Sequence, residues 1–173
     1  MNKYLLLLYS LLCLAFQGQC ANVGKTGFRE DIPRWDVWQR LTLKGQLYGK
    51  KTYQIRYARD TNDEFRRGYI HFSSGKTRFA TIKLPLADFE CKNFCVDSLI
   101  QTKRGFILLI SWGGGKYLYN MEYIFRYRQG SFFLDKIITR LFQPEEDEEK
   151  TTYKRMKKPL KMQGMIALPE LLN

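Results

Sequence analysis

The chain has 173 residues, the size of one domain able to bury a core, with 29 Lys and Arg against 17 Asp and Glu for a formal net charge of +12. That balance favours anionic partners: acidic proteins, cell-wall polymers, lipid head groups or nucleic acid. A single histidine, His71, excludes a zinc site built from several histidines.

Lys3 precedes an apolar run over residues 5–16, and Gly18, Gln19, Cys20 and Ala21 follow it. A charged start, a short apolar core and small residues in that order predict a secretory signal peptide over residues 1–20. The run is too short for a comfortable membrane span, and no second run is long enough. Cleavage after Cys20 fits the small-residue rule, with cleavage after Ala21 nearly as good. The bulk of Gln19 disfavours a lipid-modified Cys20. The remainder, residues 21–173, is expected to form one β-rich domain in the periplasm or outside the cell.

Two cysteines, Cys91 and Cys95, lie outside the predicted signal. In an oxidising compartment they are expected to form a disulfide. An extended strand would hold them about 13 Å apart, so the bond requires a turn or one helical turn. A redox-active pair is disfavoured, because the spacing is not Cys-x-x-Cys.

Residues 22–31 mix glycines and charges and predict a loosely held start. Residues 32–41 fit two patterns. Trp35, Trp38 and Leu41 share a helical face, while Trp35, Val37, Leu41 and Leu43 fit a strand; a short helix or turn leading into a strand is expected. Strands are predicted over residues 46–57, 65–72 and 77–84, separated by polar turns, with Pro85 ending the third.

Residues 105–142 then predict two β-hairpins in series. Residues 106–110 are apolar on both faces, as in the interior of a sheet. Tyr117, Tyr119, Met121, Tyr123, Phe125 and Tyr127 alternate with Asn120, Glu122, Arg126 and Arg128, the period of a strand with one buried face. Residues 143–163 carry an acidic run and then a basic one, and predict a charged, mobile, solvated segment. Residues 164–172 could add one last short segment to the sheet. The fold class expected is mainly β, an antiparallel meander of about six strands forming a curved sheet, a sandwich or a small barrel, with at most short helices.

The chemistry-bearing motifs are sparse. Gly113-Gly114-Gly115-Lys116 lacks the Ser or Thr of a phosphate-binding loop and is followed by Tyr117 and a strand, so a hairpin turn is expected. The calcium-loop, Gly-x-Ser-x-Gly and His-Glu-x-x-His patterns are missing, and no metal, cofactor or catalytic set is assigned. The function expected is a non-enzymatic binding module whose partner is a protein or an anionic envelope polymer; export disfavours nucleic acid. The binding residues expected are Lys116, Tyr117, Tyr119, Arg126 and Arg128, because Tyr and Arg dominate interface energetics. The alternative is a small envelope hydrolase using carboxylates and His71. In size, export signal and β content the chain resembles small bacterial envelope proteins that act as binders or toxin-neutralising partners.

Overall fold

Period-two patterning runs through most of the chain, and the computed structural model, which describes residues 34–145 and 148–172, turns that pattern into ten strands in two five-stranded sheets. The predicted signal peptide and residues 22–31 lie outside the described residues. The first sheet has the order β1 (Trp35–Leu43), β2 (Tyr53–Asp60), β3 (Gly68–Ser74), β4 (Thr77–Lys83) and β10 (Gly164–Ala167). The second runs β5 (Cys95–Thr102), β6 (Gly105–Gly114), β7 (Tyr117–Arg128), β8 (Ser131–Gln143) and β9 (Glu148–Lys161). Each is an antiparallel meander, except that β10 joins β4 in parallel. No α-helix occurs among the described residues; two short 3-10 helices, Gln46–Tyr48 and Leu168–Leu172, complete the inventory. None of these helices is long and apolar enough to cross a membrane.

The two sheets pack face to face as a sandwich rather than closing into a barrel. Phe72 on β3 meets Phe106, Phe125 and Phe132 of the second sheet at ring-centroid distances of 5.7, 5.7 and 6.1 Å. All four rings are fully buried. The hydroxyls of Tyr53 and Tyr127 meet at 3.1 Å and tie β2 to β7. Burial, then that hydrogen bond, pushes the Tyr53 hydroxyl up to about 12. At a far edge Gln39 of β1 donates to the carbonyls of Val96 and Asp97 on β5.

The hairpins follow from local chemistry. Arg128 pairs with Ser131 across a two-residue turn, with φ of +50° at Gln129 and +77° at Gly130. Two positive φ values are what a tight turn matching the strand twist requires. Gly114 pairs with Tyr117 across Gly115 and Lys116, as the glycine run predicts.

Three expectations are corrected. Residues 35–43 are strand throughout, with a register shift between Val37 and Gln39. That shift slips the alternation by one residue and gives the sequence its mixed helix-and-strand signature. The charged segment at 143–163 is mostly β9, laid along β8. An edge strand tolerates lysines on both faces, and Pro159 costs little where no neighbour needs its missing N–H. Lastly, Cys91 and Cys95 are not joined by a disulfide. Their loop is closed by other bonds: Asp88 accepts from the Asn93 amide at 2.9 Å, and the Asn93 side chain donates to the Gly113 carbonyl at 2.7 Å. Cys91 lines a cavity between its own loop, the second sheet and the 3-10 helix Leu168–Leu172, while Cys95 hydrogen-bonds the Asp97 carboxylate.

Candidate functional site

The residues expected to bind do not form one site. Lys116 and Tyr117 sit at the tip of the β6–β7 hairpin, with the Lys116 ammonium 5.7 Å from the Tyr117 ring. Tyr119 is stacked on Trp112 with centroids 4.0 Å apart and an interplanar angle of 9°. Arg126 and Arg128 lie at the other end of β7, about 30 Å away along the strand. They also point to the opposite face, since Met121, Tyr123 and Phe125 bury the odd positions in the core.

The outer face of the second sheet unites Arg126 and Arg128 with residues that sequence reasoning did not single out. Residues paired directly across strands share a face. One row reads Ile100, Ile107, Ile124, Lys136 and Arg155 from β5 to β9. The next reads Ser98, Leu109, Glu122, Ile138 and Tyr153, and the row on the other side runs from Thr102 through Gly105, Arg126 and Phe133 to Lys161. The centre is thus an aliphatic stripe, and Ile100 keeps 43% of its surface exposed.

Around that stripe stands a basic rim. Lys103, Arg104, Arg128, Arg155 and Lys161 are exposed, and Lys136 is half-buried. Lys103, Arg104 and Arg126 help line a shallow depression of about 330 Å³ beside Ile124. Two aromatic rings give the cations a platform: Arg128 lies 4.9 Å from the Phe133 centroid and Lys136 lies 4.4 Å from Tyr153. Two rim cations are already engaged. Arg126 pairs at 3.2 Å with Asp135, the extra residue of a bulge in β8, and Arg140 pairs with Glu122. Opposite Asp135 the register of β9 shifts as well, and the exposed Lys157 and Lys158 fall in that shift.

His71 occupies a different environment, on the outer face of the first sheet. It is 2% exposed, with Trp35 packed edge-on at 4.5 Å and Tyr69 stacked at 5.8 Å. Its Nδ1 meets the Thr81 hydroxyl at 3.2 Å. Burial, then the positive charges of Arg78 and Arg56, push the imidazole down to about 3. The carboxylate acting on it is Asp60, which is itself gripped by Arg34 through bonds of 2.6 to 3.1 Å. The Arg34 guanidinium holds the Asp60 carboxyl below its usual range. This arrangement seals the imidazole beneath aromatic rings and commits the carboxylate to an ion pair.

A signal for the outer stripe was present in the sequence. Residues 106–110 are apolar in both phases, and Ile124 interrupts the polar phase of β7. Comparison with protein-family models, with curated proteins and with solved structures finds no match for the chain.

Proposed function

We propose that this chain is an exported, non-enzymatic binding protein, of inhibitor or neutralising type, whose partner is an acidic protein docked on the outer face of the second sheet. The observation that carries the reading is the aliphatic stripe of Ile100, Ile107, Leu109 and Ile124, exposed or half-buried, bordered by Lys103, Arg104, Arg128, Lys136, Arg155 and Lys161. An exposed apolar patch with a charged border is how association surfaces are built. The rim favours an acidic partner and speeds its encounter, while the stripe supplies area to exclude water. A second copy of the chain is disfavoured by the like charges the contact would juxtapose.

Affinity capture from an envelope fraction tests this, with the wild-type chain beside a Lys136→Glu/Arg155→Glu/Lys161→Glu variant and an Ile124→Ser variant. An acidic protein held at low salt, released near 1 M salt where screening acts within about 3 Å, and lost in both variants supports the proposal. Capture of an anionic polymer that ignores Ile124→Ser transfers the reading to the polymer. Capture unchanged by the triple charge reversal overturns it.

A further inference from the structure

The end of the sandwich nearest the cysteine loop encloses a partly open cavity of about 170 Å³. Phe94, Ile110, Trp112, Met121, Tyr123 and Leu168 form most of its wall, and Cys91 completes one side. Two of the polar groups at this wall, the Glu90 carboxylate and the Tyr123 hydroxyl, are already engaged. Arg67 holds the Glu90 carboxylate in two bonds of 2.8 and 2.9 Å, and the Leu86 amide donates to the same carboxylate at 3.1 Å. The Tyr123 hydroxyl points at the Met121 sulfur, 3.7 Å away. A resident water needs two to four polar partners, and apolar cavities of about 150 Å³ stay dry and accept a benzene-sized guest.

We propose that this cavity is a binding site for a small uncharged apolar group, a single aromatic ring or a hydrocarbon end of similar volume, seated between Trp112 and Leu168. The size of the space sets the ligand class, and a mainly apolar wall whose one carboxylate is already held by Arg67 sets its polarity. The flat Trp112 ring, backed by Tyr119 at 4.0 Å, offers a rigid surface to stack on. Leu168 and Pro169, in the 3-10 helix Leu168–Leu172, are also in the lining, so the chain's last described turn forms part of the wall. Cys91 gives the site a chemical reporter. Burial raises its thiol pKa, so it reacts slowly as a neutral thiol, and a guest against it slows that reaction further. This site lies on the inner side of the second sheet and the proposed docking face on its outer side, so each stands or falls alone.

Toluene is the test ligand, and benzoate is its charged counterpart. In a Cys95→Ala background, saturating toluene is expected to shift tryptophan emission saturably and to slow alkylation of Cys91 at least tenfold. A Trp112→Phe variant should lose the emission shift and keep the protection. Leu168→Phe and Cys91→Leu, which fill the space by different routes, should each abolish binding while retaining the native circular dichroism spectrum. Benzoate should move neither readout. A linear, non-saturating response to toluene, unchanged Cys91 reactivity, or equal binding by both filled variants overturns the site. Benzoate binding as tightly as toluene overturns the polarity assigned to it.

Discussion

The two outward faces of the sandwich begin alike, as the solvent sides of five-stranded sheets, and end differently. On the first, Trp35 packs edge-on against Tyr69 and His71, and the arginines around it frame a buried polar cluster in which Asp60, His71 and Thr81 all have 6% exposure or less. On the second, no aromatic ring from β5 covers Ile107 and Ile124, and the cations stand at the border. A face that is covered by its own side chains is structure; a face that keeps its aliphatic centre open has area to give a partner. The contrast is what motivates placing the proposed docking surface on the second sheet.

The largest expected effect is on what both faces share. Phe72→Ala removes a ring that touches Phe106, Phe125 and Phe132, and should cost roughly 3–5 kcal/mol in urea unfolding. A loss below 1 kcal/mol would mean that the sheets do not share a core. Next, Trp35→Ala should destabilise by about 1–3 kcal/mol, while Ile124→Ser on the open face should stay within about 1 kcal/mol and affect partner capture instead. Equal costs at the two positions would erase the distinction between the faces. Arg126 is a poor substitute in such a pair, because its removal strands the buried Asp135.

A smaller effect is expected with pH. An unfolded imidazole takes up its proton near 6.5, the folded His71 only near 3, so the unfolded state binds more protons between those values. Stability is therefore full above pH 6.5 and falls as the pH drops towards 3. Glu90, held down to about 2 by Arg67, adds a further loss below about 4.5. His71→Gln should flatten the upper part of the profile and leave the lower part. A wild-type midpoint that is level from pH 7 to 4 would contradict the sealed imidazole. The smallest effect belongs to the hairpin tip: Lys116→Gln and Tyr117→Ser should change stability by no more than about 0.5 kcal/mol and leave partner capture intact.

The strand assignments that were legible in the sequence are those with one dry face. Met121, Tyr123 and Phe125 keep a single phase, and the core takes all three. What hid the rest is physical. The slip between Val37 and Gln39 scrambled the alternation of β1, and β9 has no dry face to leave a pattern. Apolar residues in both phases of β6 mark a strand inside its sheet, and β6 does lie between β5 and β7; that pattern does not report that Ile107 and Leu109 stay partly exposed on the outer face. Of the five residues expected to bind, Arg126 and Arg128 belong to that face; Lys116, Tyr117 and Tyr119 were selected by residue type, which does not report which way a side chain points. The expected disulfide rested on compartment and on these being the two cysteines outside the predicted signal, and neither reports that Asn93 already closes the loop.

The parallel pairing of β10 with β4 has a consequence for the order of assembly. Gly164 meets Ala80 and Ala167 meets Lys83, residues separated by about half the chain. During synthesis β4 therefore emerges with a bare edge that can be covered only after the whole second sheet has been made. Contacts of such long sequence separation form slowly and leave partly assembled chains exposed to wrong strand partners. Leu168 and Leu171, which enter the core just after β10, arrive equally late. Chains halted before residue 164 should populate a state whose first sheet invites intermolecular pairing along β4, and a holding chaperone would bind that state in preference to the finished one.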